Sequence, residues 1–209
     1  MLVLHAHPSS SLALKLRKIL ALKGCAYGLT ENGDPFDKGE AGIYIQWGRR
    51  FFSGAQLATL ALEAASPEPT LFPNGNNGMP LALGFWSAHA IRASKQNSET
   101  LLAHAQLLAR QLADGRPFLQ GTRPGLADVE GWFFLTSCPA IRRPDAHLAA
   151  WHRRVHALGL GAAQTMTLTD CAAIPEEKAA QTLKLGPLAR DERFDHPVLG
   201  TGNLAYPLL

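Results

Sequence analysis

The chain has 209 residues, 46% of them apolar and 18% charged, with a formal net charge of +3. That length buries a sizeable core and suits one large domain or two small ones. Its Lys and Arg residues are scattered, which excludes the clustered basic footprint of a nucleic-acid binder, and no apolar run approaches a membrane span.

The first seven residues, Met1 to His7, lack a basic segment and a long apolar core, so no signal peptide is expected. Leu2-Val3-Leu4-His5-Ala6 reads as a short buried strand stopped by Pro8. Ser9, Ser10 and Ser11 are three candidate N-caps for an amphipathic helix. In it Leu12, Leu14, Leu16, Ile19, Leu20 and Leu22 are apolar, and Lys15, Arg17, Lys18 and Lys23 are expected on the exposed side. Gly24 ends this helix as a C′ glycine, and 25–30 reads as a second strand. Strand, helix and strand with so short a return predict a parallel pair.

Between Thr30 and Gly39 stand eight residues rich in turn formers, among them Asn32, Gly33, Asp34 and Pro35. That is too short for a strand exit, a stable helix and a return. The third strand is expected over 39–46, followed by a hairpin turn at Trp47-Gly48-Arg49-Arg50 and a fourth strand at Phe51-Phe52. Ser53 is placed as the N-cap of a helix over 54–63. The proline-rich stretch 65–73 reads as an extended linker.

Helices are expected over 80–95 and 99–113, the latter closed by Asp114-Gly115. Next comes a turn, Pro117-Phe118-Leu119-Gln120-Gly121, that runs into a helix start with an acid, Asp128, in its first turn. Such a carboxylate reaches back to free backbone N–H groups and sits well against the helix dipole. The cap position itself is Gly125, which supplies no side-chain acceptor, so half of a capping box remains. Trp132-Phe133-Phe134-Leu135 makes the helix apolar all round, as full burial requires. Another helix is expected over 144–159 around Leu148, Trp151 and Val155, where Trp151-His152-Arg153-Arg154 reads as a solvated basic face. A last helix, capped by Thr169 and Asp170, is expected to run to about Leu183, before a turn-rich tail.

The chemistry-bearing residues give no strong local motif. His5 and His7 stand two apart with no Cys or acid at ligand spacing, and the i, i+4 pair His152 and His156 lacks the acid of a zincin helix, so no metal is expected. A Gly-x-Ser-x-Gly elbow and a Gly-rich phosphate loop are both missing. Cys25, Cys138 and Cys171 are few and widely spaced, which points to a reducing, cytoplasmic setting and to packing rather than reactivity.

Taken together, Lys15-Leu16-Arg17 with Ile19-Leu20-Ala21-Leu22, the Pro117-to-Gly121 turn with Ala127-Asp128-Val129, and the Leu148–Trp151–Val155 register resemble the glutathione S-transferase (GST) superfamily. The resemblance spans nearly the whole chain. It implies an α/β plus all-α fold: a thioredoxin-like domain over 1–65 with its second helix reduced or absent, a linker over 66–79, a helical domain over 80–185 and a tail over 186–209. It also implies glutathione as co-substrate, an apolar electrophile as partner and a homodimer.

Carried onto this sequence, the family's thiolate-holding residue falls on Ser10, which as a residue is equally an ordinary N-cap. The peptide-binding positions fall on Ala41, Gly42, Ile43, Phe52 and Ser53. Two depart from the family pattern, since Gly42 stands where a cis-proline is usual and Phe52 where an acid is usual. Ser53 reads equally as a helix cap. His7, Phe85, Trp86 and His89 are the expected lining of the electrophile pocket, the last three reading also as core. Two functions follow from the resemblance: a transferase working through a serine-assisted thiolate, or a GST-fold protein that binds without turnover.

Overall fold

The computed structural model describes residues 1–7, 10–30, 43–93, 98–138 and 145–183. The chain divides into two compact units, one of residues 1–69 with 160–209 and one of residues 70–159. The helical unit is therefore inserted in the first unit. The breaks between the units fall at 69 and 159, because the chain after Gly159 returns to the sheet.

The first unit holds β1 (Leu2–His5), α1 (Ser11–Leu22), β2 (Tyr27–Thr30), β3 (Tyr44–Trp47), β4 (Arg50–Ser53) and α2 (Ala55–Ala65). The expected parallel pair forms, with Val3 opposite Gly28 and His5 opposite Thr30. β3 runs antiparallel to β1, and β4 antiparallel to β3. This is the expected thioredoxin-like arrangement of strands. The segment expected to lack a helix, and with it Ala41 and Gly42, lies outside the described residues.

A fifth strand, unforeseen in the sequence, completes the sheet. β5 (Ala163–Thr165) pairs in parallel with β2, giving the order β4-β3-β1-β2-β5. Its three residues are exposed and carry no apolar alternation, so the sequence offers no strand signal there. The helix expected up to Leu183 is instead two short ones. α7 (Leu168–Ala172) is capped by Thr167, whose hydroxyl accepts from the Asp170 N–H while the Asp170 carboxylate accepts from the Thr167 N–H. α8 (Lys178–Thr182) follows.

These returning elements supply layers that the sheet needs, since each face must be covered to form a core. On one face the buried Val3 packs with Cys171, Ile174 and Met166. A Cβ on Gly28 would stand 2.2 Å from the Met166 sulfur, so a side chain there requires Met166 to move. Trp47 and Phe52, which point to the other face, pack with Leu57, Ala61 and Ala180. The Arg50 guanidinium donates to the Ala180 and Gln181 carbonyls at 2.8 and 2.6 Å, satisfying the open C-terminal end of α8.

One expectation for α1 fails. Lys15, Lys18 and Lys23 are 3%, 1% and 3% exposed, not solvated. Lys23 shows why: its ammonium is 2.5 Å from the Glu63 carboxylate on α2 and donates to the Pro69 carbonyl. A long apolar stem with a paired head packs as core.

The second unit holds α3 (Gly78–Ala93), α4 (Ser98–Gln111), α5 (Leu126–Ser137) and α6 (Ala146–Ala157). Every residue from Leu126 to Leu135 is buried, as the unbroken apolar run requires. Asp128 is the organising group. It accepts from the Leu119 N–H at 2.8 Å, the Gly125 N–H at 3.0 Å and the Trp151 indole N–H at 2.7 Å. One carboxylate thus ties the preceding turn, the helix start and α6 together. The glycine cap has a steric cause. A Cβ on Gly125 would lie 2.7 Å from the Pro73 ring and 2.8 Å from the Leu71 carbonyl, whose oxygen accepts the Leu126 N–H at 2.8 Å. On α6, Asp145 caps through the His147 and Leu148 N–H groups. The expected basic face there is split: Trp151 and His152 are buried, and Arg153 and Arg154 are exposed.

Candidate functional site

Strand register in the first unit brings three chain segments to one end of the sheet. His5, the last residue of β1, lies opposite Tyr44, the first residue of β3, and Tyr44 lies opposite Ser53, the last residue of β4. The β1–α1 junction with Ser10, the entry to β3 with Ile43, and the β4–α2 junction with Ser53 therefore share that end.

Ser10 is the N-cap of α1, with φ −70° and ψ 120°. Its N–H donates to the His7 carbonyl at 2.9 Å, and its hydroxyl oxygen accepts from the Ala13 N–H at a long 3.4 Å. The hydroxyl hydrogen has no acceptor among the described residues, so Ser10 can cap the helix and still donate. The first turn of α1 carries no acid, which leaves the partial positive charge of its N–H groups available to an anion. His7 is exposed.

The Ile43 carbonyl accepts the Gly54 N–H at 3.1 Å and closes the β3–β4 ladder there. Gly54, not Ser53, caps α2; its φ of +79° lies in the region glycine tolerates, and it offers no side-chain acceptor. The sequence misplaced this cap by one residue because a serine before a helix is the stronger generic signal. Ser53 is buried at the strand end. Phe52, one residue earlier, points to the opposite face and belongs to the hydrophobic cluster around Trp47 and Leu57.

Beneath this end runs a buried polar chain that the strand reading missed. His5 Nε2 is 2.8 Å from Gln46 Oε1, and His5 Nδ1 is 3.2 Å from the Thr30 hydroxyl. The Gln46 amide nitrogen donates to the Gly48 carbonyl at 2.8 Å and the Cys171 carbonyl at 2.9 Å. Gln46 thereby joins β1 and β3 to α7, and His5 extends the chain to Thr30 on β2. Burial pushes the His5 imidazole down to about 4, against the raising effect of its bond to Gln46, so it stays neutral at physiological pH. The signal was present: His5 and Gln46 are the lone polar residues in the runs Leu2–Ala6 and Ile43–Trp47.

In the second unit the expected pocket residues separate. Trp86 lines a cleft of about 530 Å³. Phe85 and His89, on another stripe of α3, are exposed. No helix among the described residues is long and apolar enough to cross a membrane.

A thioredoxin-like sheet interrupted by an Asp-anchored helical bundle defines the GST fold, and comparison with solved structures agrees. A GST-like protein from Pseudomonas syringae superposes with a TM-score of 0.70 at 20% identity, covering 93% of this chain and 79% of that one. A glutathione transferase homologue from Burkholderia, solved with bound glutathione, gives 0.61 at 15% identity over 75% of this chain and 91% of that one. Maleylacetoacetate isomerase from Anaeromyxobacter dehalogenans gives 0.53 at 21% identity, covering 76% and 90%. No protein-family model matches the sequence, and no curated protein does.

Proposed function

We propose that the protein is a cytoplasmic GST-superfamily enzyme that binds glutathione at the sheet end shared by Ser10, Ile43 and Ser53. The observation that carries this reading is the Ser10 hydroxyl, held at the start of α1 with its hydrogen uncommitted among the described residues. In that role the hydroxyl donates to the glutathione thiolate, and the α1 N-terminus adds electrostatic stabilisation. The thiolate attacks an apolar electrophile: a C–S bond forms and the leaving group departs with its electron pair. Ala41, Gly42 and Ile43 supply backbone groups for the cysteinyl part of glutathione, and Ser53 holds the γ-glutamyl carboxylate. The protein is a homodimer. The bound glutathione and the glutathione-derived ligand named for two of the neighbours support the choice of thiol.

Conjugation of glutathione to an activated aryl halide tests the reading. Ser10→Ala is expected to lower kcat at least tenfold and raise the pKa of bound glutathione, while Ser10→Thr, which keeps cap and hydroxyl, retains most activity. Equal turnover by Ser10→Ala and the parent refutes the assignment of Ser10.

A second reading rests on Phe52. Its burial in the core leaves no carboxylate at position 52 for the glutathione ammonium. On this reading the protein binds glutathione without turnover. Calorimetric binding in the absence of any conjugation selects it.

A further inference from the structure

The helical unit carries an open cleft between α3 and α4. Its floor is apolar, from Met79, Leu83 and Trp86 on α3, Leu107 and Leu108 on α4, and Leu119. At about 530 Å³ it lies within the range of small-molecule sites. Met79, Trp86 and Leu107 are 67%, 40% and 47% exposed, so this floor is open. Trp86 is held from behind, its ring centroid 3.7 Å from that of His104, which in turn contacts Phe134.

The rim carries four carboxamides; two of them, Asn74 and Gln111, are oriented with their oxygens outward, while the Asn76 oxygen already accepts the Met79 N–H. The Asn74 nitrogen donates to the Gln120 carbonyl at 2.6 Å, and the Gln111 nitrogen to the Leu119 carbonyl at 3.0 Å. A backbone carbonyl only accepts, so these contacts fix which end of each amide is nitrogen. The oxygen ends of Asn74 and Gln111 are left without partners among the described residues. Gln120 adds a third acceptor: its side-chain oxygen is buried with no hydrogen-bond partner. A buried acceptor in that state costs free energy that a ligand donor recovers. The one cation on the rim, Arg116, is paired with Asp114 at 2.6 Å, which offsets its charge toward an anionic ligand.

We infer that this cleft binds an uncharged, flat apolar molecule carrying an O–H or N–H donor, such as a phenol or an aryl amine, read by the oxygens of Asn74, Gln111 and Gln120. Trp86 on the floor is also an expected electrophile-pocket residue, but none of the three rim residues belongs to that set or to the set proposed for glutathione, so the preference for a donor stands or falls separately from that reading.

The test uses the full chain labelled at the methionine methyls and titrated with 2-naphthol, 2-methoxynaphthalene and 2-naphthoate. Met79 lines the cleft, whereas Met166 packs in the sheet unit, so the Met79 methyl reports occupancy. The expected result is a Met79 shift with 2-naphthol and binding roughly tenfold weaker for the methyl ether, the scale of one to two lost hydrogen bonds. The naphthoate is expected to be weaker than the phenol. Gln120→Leu is expected to erase most of the preference for phenol over ether, and Gln111→Leu part of it. Equal binding of phenol and ether by the parent protein overturns the inference, and needs no variant to fold. So does a Met79 signal that moves with protein concentration alone, which means that a second copy covers the cleft.

Discussion

Asp128 in the helical unit and Gln46 in the sheet unit do the same job with different chemistry. Each is a buried polar side chain that gathers groups from separate chain segments: three N–H donors at Asp128, and one imidazole with two carbonyls at Gln46. The difference lies in sequence distance. Asp128 serves its own helix start, three residues from Gly125 and nine from Leu119, so a local pattern announces it. Gln46 reaches Cys171 across 125 positions, and no local pattern can. Local polar keys are legible; long-range ones are visible only as a polar residue out of place in an apolar strand.

The sharpest way to break the comparison is Asp128→Ala. It leaves the Leu119, Gly125 and indole N–H groups buried without an acceptor, at about 1–3 kcal/mol each. A loss of about 4 kcal/mol or more is expected in urea unfolding, read at the tryptophan fluorescence. A loss under about 1 kcal/mol shows that water replaces the carboxylate and that the key is dispensable.

Gln46→Leu is the matching change in the other unit. It strands the Gly48 and Cys171 carbonyls and one His5 nitrogen, and about 3 kcal/mol is expected to go. Hydrogen exchange locates the effect: amides of β1, β3 and α7 lose protection, while those of α5 keep theirs. Equal loss in both units refutes the separate roles drawn for the two keys.

Acid distinguishes the units less. His5 in the sheet unit and His104 in the helical unit are both held neutral by burial, each pushed down to about 4 from an ordinary 6.5. A folded-state value below the unfolded one means that the unfolded chain binds protons first. Stability is therefore full above about pH 6.5 and falls as pH drops towards 4. At pH 5 the loss is roughly 2 kcal/mol per histidine. Denaturant midpoints at pH 7, 6 and 5 measure it, and His104→Leu is expected to halve the slope. An unchanged slope refutes a buried neutral His104.

How far the sequence could be read follows from the same distinction. The parallel β1–β2 pair, the hairpin from β3 to β4 and the apolar helix α5 all rest on neighbours within a few dozen residues, and their patterns were plain. β5 was not, because three exposed residues form a strand only by meeting an edge already in place. The lysines of α1 looked solvated because amphipathicity counts charge and does not see Glu63 waiting on α2. At the proposed site, Ser10 was legible as a helix cap, and its hydroxyl hydrogen, without an acceptor among the described residues, was not. Ser53 was read as a cap because the positive φ that makes Gly54 the better choice is invisible in composition.

The insertion of the helical unit fixes an order of assembly on the ribosome. Residues 70–159 emerge as an unbroken run that forms a compact unit. The sheet emerges first but waits for the strand at 163–165 and the short helices behind it. Synthesis thus inverts the usual N-terminal-first sequence of domains: what is translated earliest is finished last.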